Sequence, residues 1–214
     1  MKLYLNDTSP FSRVALATAL LTNDQEFELV WVDPWSSPTE LLQVNPFSMI
    51  PALELRSGHS LIESLTICQY LIARFQPNAI QEFNLADEDE SKRTGIAKTL
   101  MEISFKSVAL GRFIDLPNKL HQRTIEAVQR AMIELNQYLS EYQHPQSTPT
   151  IAPSLANLYL HCALDYVAFR QPELFKLYAQ HSIEEFMSHS PFNEVLNHIS
   201  VAKLASKPSF ADLA

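Results

Sequence analysis

Strand-like patterning ends at Gln76-Pro77-Asn78, and every apolar pattern beyond it has helical spacing. No single α/β or all-helical layer accommodates both halves, so the switch near residue 80 predicts two packed units. In the first, Lys2–Leu5 alternates like a strand, and Val14, Ala17 and Leu21 recur at helical spacing. Phe27–Val32 reads as a second strand, stopped by Asp33-Pro34. Ser37-Pro38-Thr39-Glu40 predicts a capped short helix running through Gln43. Ala52–Leu55 and Ser60–Ile62 flank the hairpin signal Arg56-Ser57-Gly58-His59. Leu65, Cys68, Leu71, Ile72 and Phe75 then share one helical face, giving the order βαβ, ββ, α.

Three long helical patterns dominate the remainder. Ile96 to Leu110 marks one and Ile125 to Leu139 the next. Pro153-Ser154 opens a third, with Leu155, Leu158, Cys162, Tyr166 and Phe169 expected on its inner face; Phe192–Leu204 is expected to be a fourth. The expected division is an α/β domain at 1–76, a linker at 77–84 and an all-helical domain at 85–214. A chain of 214 residues with 46% hydrophobic content can supply cores for both.

Composition removes several function classes. The net charge of -8 is spread along the chain, with no basic face for nucleic acid or an anionic membrane. Gly58, Gly95 and Gly111 stand alone, which rules out a glycine-rich phosphate loop. The seven histidines are scattered, so no metal site is expected. No apolar run is long enough to span a membrane and no signal-peptide pattern opens the chain. Cys68 and Cys162 fall inside apolar helical patterns and read as buried free thiols of a cytoplasmic protein.

The chemistry-bearing stretch is Pro46-Phe47-Ser48-Met49-Ile50-Pro51-Ala52-Leu53, followed ten residues later by Glu63-Ser64 at the head of an apolar helix. Pro51 cannot donate to a sheet ladder and belongs at a bend. A cis bond before it would turn the Ile50 backbone outward, toward an extended peptide. The helix start offers unpaired N–H groups and a positive dipole end to a carboxylate. These features together describe a site for a small acidic peptide.

In order and spacing, the motifs resemble those of cytosolic glutathione transferases over nearly the whole chain. They are Ser9-Pro10-Phe11, Val32-Asp33-Pro34-Trp35 (as in bacterial members), Asn45-Pro46, Ile50-Pro51-Ala52-Leu53 and Glu63-Ser64. Ser154-Leu155-Ala156-Asn157, Cys162-Ala163-Leu164 and Lys207-Pro208-Ser209-Phe210 continue the series. The resemblance implies a thioredoxin-like N-terminal domain that binds glutathione and an all-helical C-terminal domain lining an acceptor pocket. It implies Ser9 as the hydroxyl that activates the glutathione thiol, with Thr8 and Ser12 as alternatives. Each of these hydroxyls also fits a plain capping role, which is compatible with thiol contact. Ile50 would hold the cysteinyl backbone, with Pro51 cis. Ser64 would hold the γ-glutamyl carboxylate and Glu63 the α-amino group. The acceptor pocket would draw on Phe11, Ser104, Phe105, Val108, Arg112 and Tyr166. Ser154 to Asn157 matches the family's capping box, where Asn157 would accept the Ser154 N–H; Asp165 is expected to be solvated.

One position departs from the family pattern. Met49 stands where many relatives carry Lys or Gln for the glycine carboxylate, and Ser48 precedes it instead of Gly. Two functions therefore stand side by side. One is a detoxifying enzyme that conjugates glutathione to a small hydrophobic electrophile. The other is a non-catalytic ligand-binding or protein-interaction module on the same fold. The resemblance also implies a homodimer.

Overall fold

The computed structural model describes residues 1–22, 26–115, 118–142 and 152–214. Strands β1 (Lys2–Leu5), β2 (Glu28–Trp31), β3 (Ala52–Glu54) and β4 (Ser60–Ile62) form one mixed sheet in the order β2-β1-β3-β4. β1 pairs parallel with β2 and antiparallel with β3, which pairs antiparallel with β4. A parallel pair needs a crossover, and helix α1 (Pro10–Leu21) provides it. β1 is interior and its last three residues are buried, so it reads as an apolar run rather than an alternation.

Alternation along β1 nevertheless decides the two faces. Tyr4 joins Val32, Leu41 and Ala52 in one cluster, with Leu41 contributed by α2 (Thr39–Val44). Leu3 and Leu5 point the opposite way, and α1 packs against α3 (Ser64–Phe75). This is the thioredoxin-like arrangement that the family resemblance implies. One local reading is corrected. Ser37 does not cap the short helix; it takes a left-handed conformation (φ 49) that closes the 3-10 turn Pro34–Ser36, and the helix begins at Thr39.

Contacts divide the chain into Met1–Glu82 with Glu194–Ala214, and Phe83–Asn193. Residues 194–214, expected within the helical domain, cluster with the first unit instead. The final segment joins the first unit through specific bonds. Arg13 donates from Nε to the Ile199 carbonyl (3.2 Å) and from Nη2 to that of Leu196 (2.8 Å). Trp31 Nε1 donates to Pro208 O at 3.1 Å, and the Phe27 and Phe210 rings lie 5.0 Å apart. The expected fourth helix, Phe192–Leu204, is broken into α9 (Asn193–His198) and α10 (Val201–Leu204). The Arg13 guanidinium binds the carbonyls at that break, as a C-terminal cation does.

The second unit contains α4 (Glu88–Phe113), α5 (Lys119–Tyr142), α6 (Leu155–Arg170), α7 (Pro172–Tyr178) and α8 (His181–Ser188). α7 and α8 escaped the sequence reading because neither is long enough to show a period. α6 is buried on nearly all sides from Leu155 to Val167, whereas Phe169, expected inside, is 42% exposed. The expected capping box at Ser154 is absent. Asn157 Oδ1 instead accepts from Nη1 of the buried Arg93 at 2.7 Å, and Asn157 Nδ2 donates to Ala152 O at 2.8 Å. A buried guanidinium requires acceptors, and Tyr138 OH supplies another at 3.1 Å. Asp165 is likewise not simply solvated: its Oδ1 lies 3.7 Å from Nε2 of the buried His161.

Candidate functional site

The sheet register gathers the expected glutathione residues. Tyr4 pairs with Ala52 and Ala52 with Ile62. The segment after β1, the one before β3 and the one after β4 therefore meet at one end of the sheet. Ser9, Ile50 and Glu63-Ser64 occupy those three segments, and the N-termini of α1 and α3 open at the same end. Two helix dipoles thus direct their positive ends to this region.

Ser9 is the N-cap of α1, and its Oγ accepts the Ser12 N–H at 3.2 Å. A hydroxyl that accepts retains its own proton for donation, so capping leaves Ser9 able to donate to a sulfur. Asn6, which sequence reasoning passed over, positions the turn: its Oδ1 accepts the Ser9 N–H at 2.8 Å and that of Thr8 at 3.2 Å. An Asn four residues before a proline in a polar turn is the signal that could have found it. Ser9 and Thr8 are half-buried, whereas Ser12 is 1% exposed and its Oγ meets no hydrogen-bond partner. Phe11 is half-buried.

The Ile50–Pro51 bond is cis. β3 begins at Ala52, so Ile50 lies beyond the ladder. Asn45, 2% exposed, organises the approach: its Nδ2 donates to Met49 O (2.7 Å) and its Oδ1 accepts from Phe47 N (3.1 Å). Ser48 adopts φ 49, the left-handed region that favours glycine, and its Oγ donates to Pro34 O at 2.9 Å.

Glu63 holds φ 74 and ψ 122, a conformation an L-residue avoids. Such strain costs on the order of 1–3 kcal/mol and concentrates at functional positions. Its Oε2 accepts the Leu65 N–H at 3.1 Å and its Oε1 the Ser64 hydroxyl at 3.4 Å. Ser64 is the first residue of α3 and is 2% exposed. An exposed carboxylate beside helix N–H groups can hold an ammonium and a carboxylate close together.

The cations of the first 82 residues are engaged in other contacts. Lys2 pairs with Glu54 (3.8 Å) and Arg56 with Glu26 (2.6 Å). Arg13 binds Leu196 and Ile199, and Arg74 lies over the Phe75 ring in the last turn of α3. Met49 is 62% exposed. Cys68, fully buried, has its thiol pushed up to about 12, chiefly by burial, with the Glu63 charge adding to the rise. It is inert as a nucleophile at neutral pH.

Among the expected acceptor residues of the second unit, Phe105, Val108 and Arg112 share a face of α4 by their spacing. Tyr166 on α6 is 5% exposed, and burial raises the pKa of its hydroxyl, with the charges of Arg170 and Arg112 opposing the rise. Arg170 was not anticipated. Ser104 is fully buried and hydrogen-bonds Gln171 Oε1 at 3.4 Å, an interior role.

Residues 3–79 match the sequence family described as the glutathione S-transferase N-terminal domain. That match covers the α/β part of the chain. Solved glutathione transferases share its fold across both units. A glutathione S-transferase from Methylobacillus flagellatus KT with glutathione bound aligns at TM-score 0.73 and 21% identity, covering 90% of this chain and 97% of its own. A glutathione transferase family member from Pseudomonas fluorescens Pf-5, with bound glutathione, gives 0.70 and 22%, covering 97% and 98%. The beta-class glutathione S-transferase of Sphingomonas chungbukensis gives 0.68 and 18%, covering 97% and 98%. No curated protein matches this chain. Among its described residues no helix is long and apolar enough to cross a membrane, and no cluster of His, Cys, Asp and Glu could hold a metal ion.

Proposed function

We propose that this protein is a glutathione transferase, which binds glutathione, stabilises its thiolate and conjugates it to a small hydrophobic electrophile. The observation that carries the reading is the meeting of Ser9, the cis Ile50–Pro51 bond and the strained Glu63-Ser64 pair at one end of the sheet. A scaffold has no need of all three. Bound glutathione in the Methylobacillus and Pseudomonas relatives supports the choice of ligand.

In this reading the Ile50 backbone N–H and C=O hold the cysteinyl unit. Ser64 takes the γ-glutamyl carboxylate through its hydroxyl and N–H, and Glu63 takes the α-amino group. The Ser9 hydroxyl donates to the sulfur. A free thiol titrates near 8.5, so a fall of two units needs about 2.7 kcal/mol of preference for the thiolate. A hydroxyl hydrogen bond plus the α1 dipole can supply much of that. The thiolate then attacks the electrophilic carbon, forming the S–C bond as the leaving group departs with its electron pair. Phe105, Val108, Arg112 and Tyr166 of the helical unit contribute to holding the acceptor. The protein acts in the cytoplasm as a homodimer.

The deciding measurement is thiolate absorbance of bound glutathione across pH, wild type beside Ser9→Ala. A bound thiol titrating well below 8.5 in wild type alone establishes Ser9 as the activating donor. A lowered value in both proteins moves that role to Thr8 or to the helix terminus. Absence of bound thiolate at millimolar glutathione favours the second reading, a ligand-binding or protein-interaction module. That alternative draws on the exposed Met49, which puts no cation where a glycine carboxylate needs one.

A further inference from the structure

We infer that the thiol peptide preferred by this protein ends in an uncharged group: its co-substrate is a γ-glutamylcysteinyl peptide whose terminal carboxyl is amidated or esterified. The inference rests on the transferase reading and names the class of its thiol co-substrate.

The sheet sets the direction in which such a peptide lies. Across the end where the proposed site gathers, the strands follow one another as β4, β3, β1 and β2. Glu63-Ser64 follow β4, Ile50 precedes β3 and Ser9 follows β1. β2 runs parallel to β1, so the segment after it, Asp33-Pro34-Trp35-Ser36, reaches the same end. Three strand spacings of about 4.8 Å come to roughly 14 Å. An extended tripeptide spans about 10 Å, and a γ-linkage lengthens it. A peptide anchored at Glu63-Ser64, with its cysteine beside Ile50 and Ser9, therefore brings its last residue toward the segment after β2. The loop before Ile50 is tied to that segment, because Ser48 Oγ donates to Pro34 O at 2.9 Å.

Two observations describe what the last residue meets there. First, the border is apolar. Trp35, Phe47 and Met49 are each more than half exposed. Their backbone is fixed from beneath by the buried Asn45, which donates to Met49 O and accepts from Phe47 N. The C=O and N–H of a trans peptide point in opposite directions, so a Met49 carbonyl held by a buried side chain turns the Ile50 N–H toward the surface. Second, the charge has the wrong sign for a carboxylate. From residue 33 to residue 49 the charged side chains are Asp33 and Glu40, with no Lys, Arg or His. Asp33 caps the turn by accepting the Trp35 N–H at 3.0 Å, and Glu40 lies in the first turn of α2. A carboxylate brought to this border loses water, gains no counter-charge and is repelled by both acids. An amide or ester avoids those costs and adds apolar contact.

The test compares glutathione with its monoethyl ester, esterified at glycine, by calorimetry and by thiol titration on the full chain. In wild type the ester should bind about fivefold more tightly than glutathione, or better. Met49→Lys should reverse the order, tightening glutathione by about tenfold and the ester by less than about twofold. Met49→Ala should weaken the ester by about threefold and leave glutathione within about twofold. Glutathione that binds as tightly as the ester in wild type overturns the inference, as does a Met49→Lys variant that tightens both alike. Where the bound thiol nevertheless titrates well below about 8.5, the transferase reading stands without it. An ester that is favoured but keeps its free thiol pKa upholds the uncharged end and removes the transferase reading. Failure of both compounds to bind at millimolar concentration removes both.

Discussion

At the scale of single residues, Met49 has the sharpest consequence. A missing charge-assisted hydrogen bond costs about 1.5–3 kcal/mol, or roughly ten- to a hundredfold in affinity. The first unit's cations nearest in sequence are engaged elsewhere, so glutathione should bind weakly, and Met49→Lys should tighten it by about tenfold. Titration calorimetry checks both statements; a low-micromolar dissociation constant in wild type, or no gain in the variant, refutes them. Met49 is exposed, so the substitution should leave stability nearly unchanged. The residues of the proposed site, Ser9, Ile50, Glu63 and Ser64, were nominated from the sequence because they stand in their motifs. Their conformations were not. Nothing in the letters Glu-Ser shows that Glu63 holds φ 74, since that value follows from what β4 and α3 impose on the residue joining them.

At the scale of elements, the strands and long helices followed from periodicity, and the failures share one cause. Ser37, Ser154 and the Phe192–Leu204 pattern were read from local signals, and in each case a distant or competing bond prevailed. Arg93, 64 residues earlier in the chain, takes the Asn157 oxygen that a capping box would have used. Arg13 takes the carbonyls of Leu196 and Ile199, where the last long helix was expected to continue. The Arg13 contact carries a prediction. Arg13→Met should destabilise the protein by about 2 kcal/mol, a loss of charged hydrogen bonds. It should also raise amide exchange between Ile199 and Leu213 more than in β1. An unchanged urea midpoint, or exchange that rises uniformly, would show that the guanidinium contributes nothing specific to docking of the final segment.

For the whole molecule, the buried acids make stability depend on alkaline pH. Cys68 moves from 9.0 to about 12 and Tyr4 from 10.0 to about 12, both mainly through burial, with Glu54 adding to the rise at Tyr4. The folded state therefore holds protons that the unfolded state gives up sooner. Their contribution is complete below about 9 and is lost as pH rises toward about 12. Urea midpoints should stay level up to about pH 9 and then fall, with a shallower fall in Cys68→Ala. Equal slopes in the two proteins would count against Cys68 as a source. The sequence by itself determined that an α/β unit precedes a helical one and that both thiols are buried. Periodicity and side-chain chemistry are local properties and suffice for those conclusions. Only the tertiary structure decided that residues 194–214 return to the first unit and that Asn157 serves Arg93. Each of these depends on groups far apart in the chain competing for one partner, and no window of sequence contains that competition.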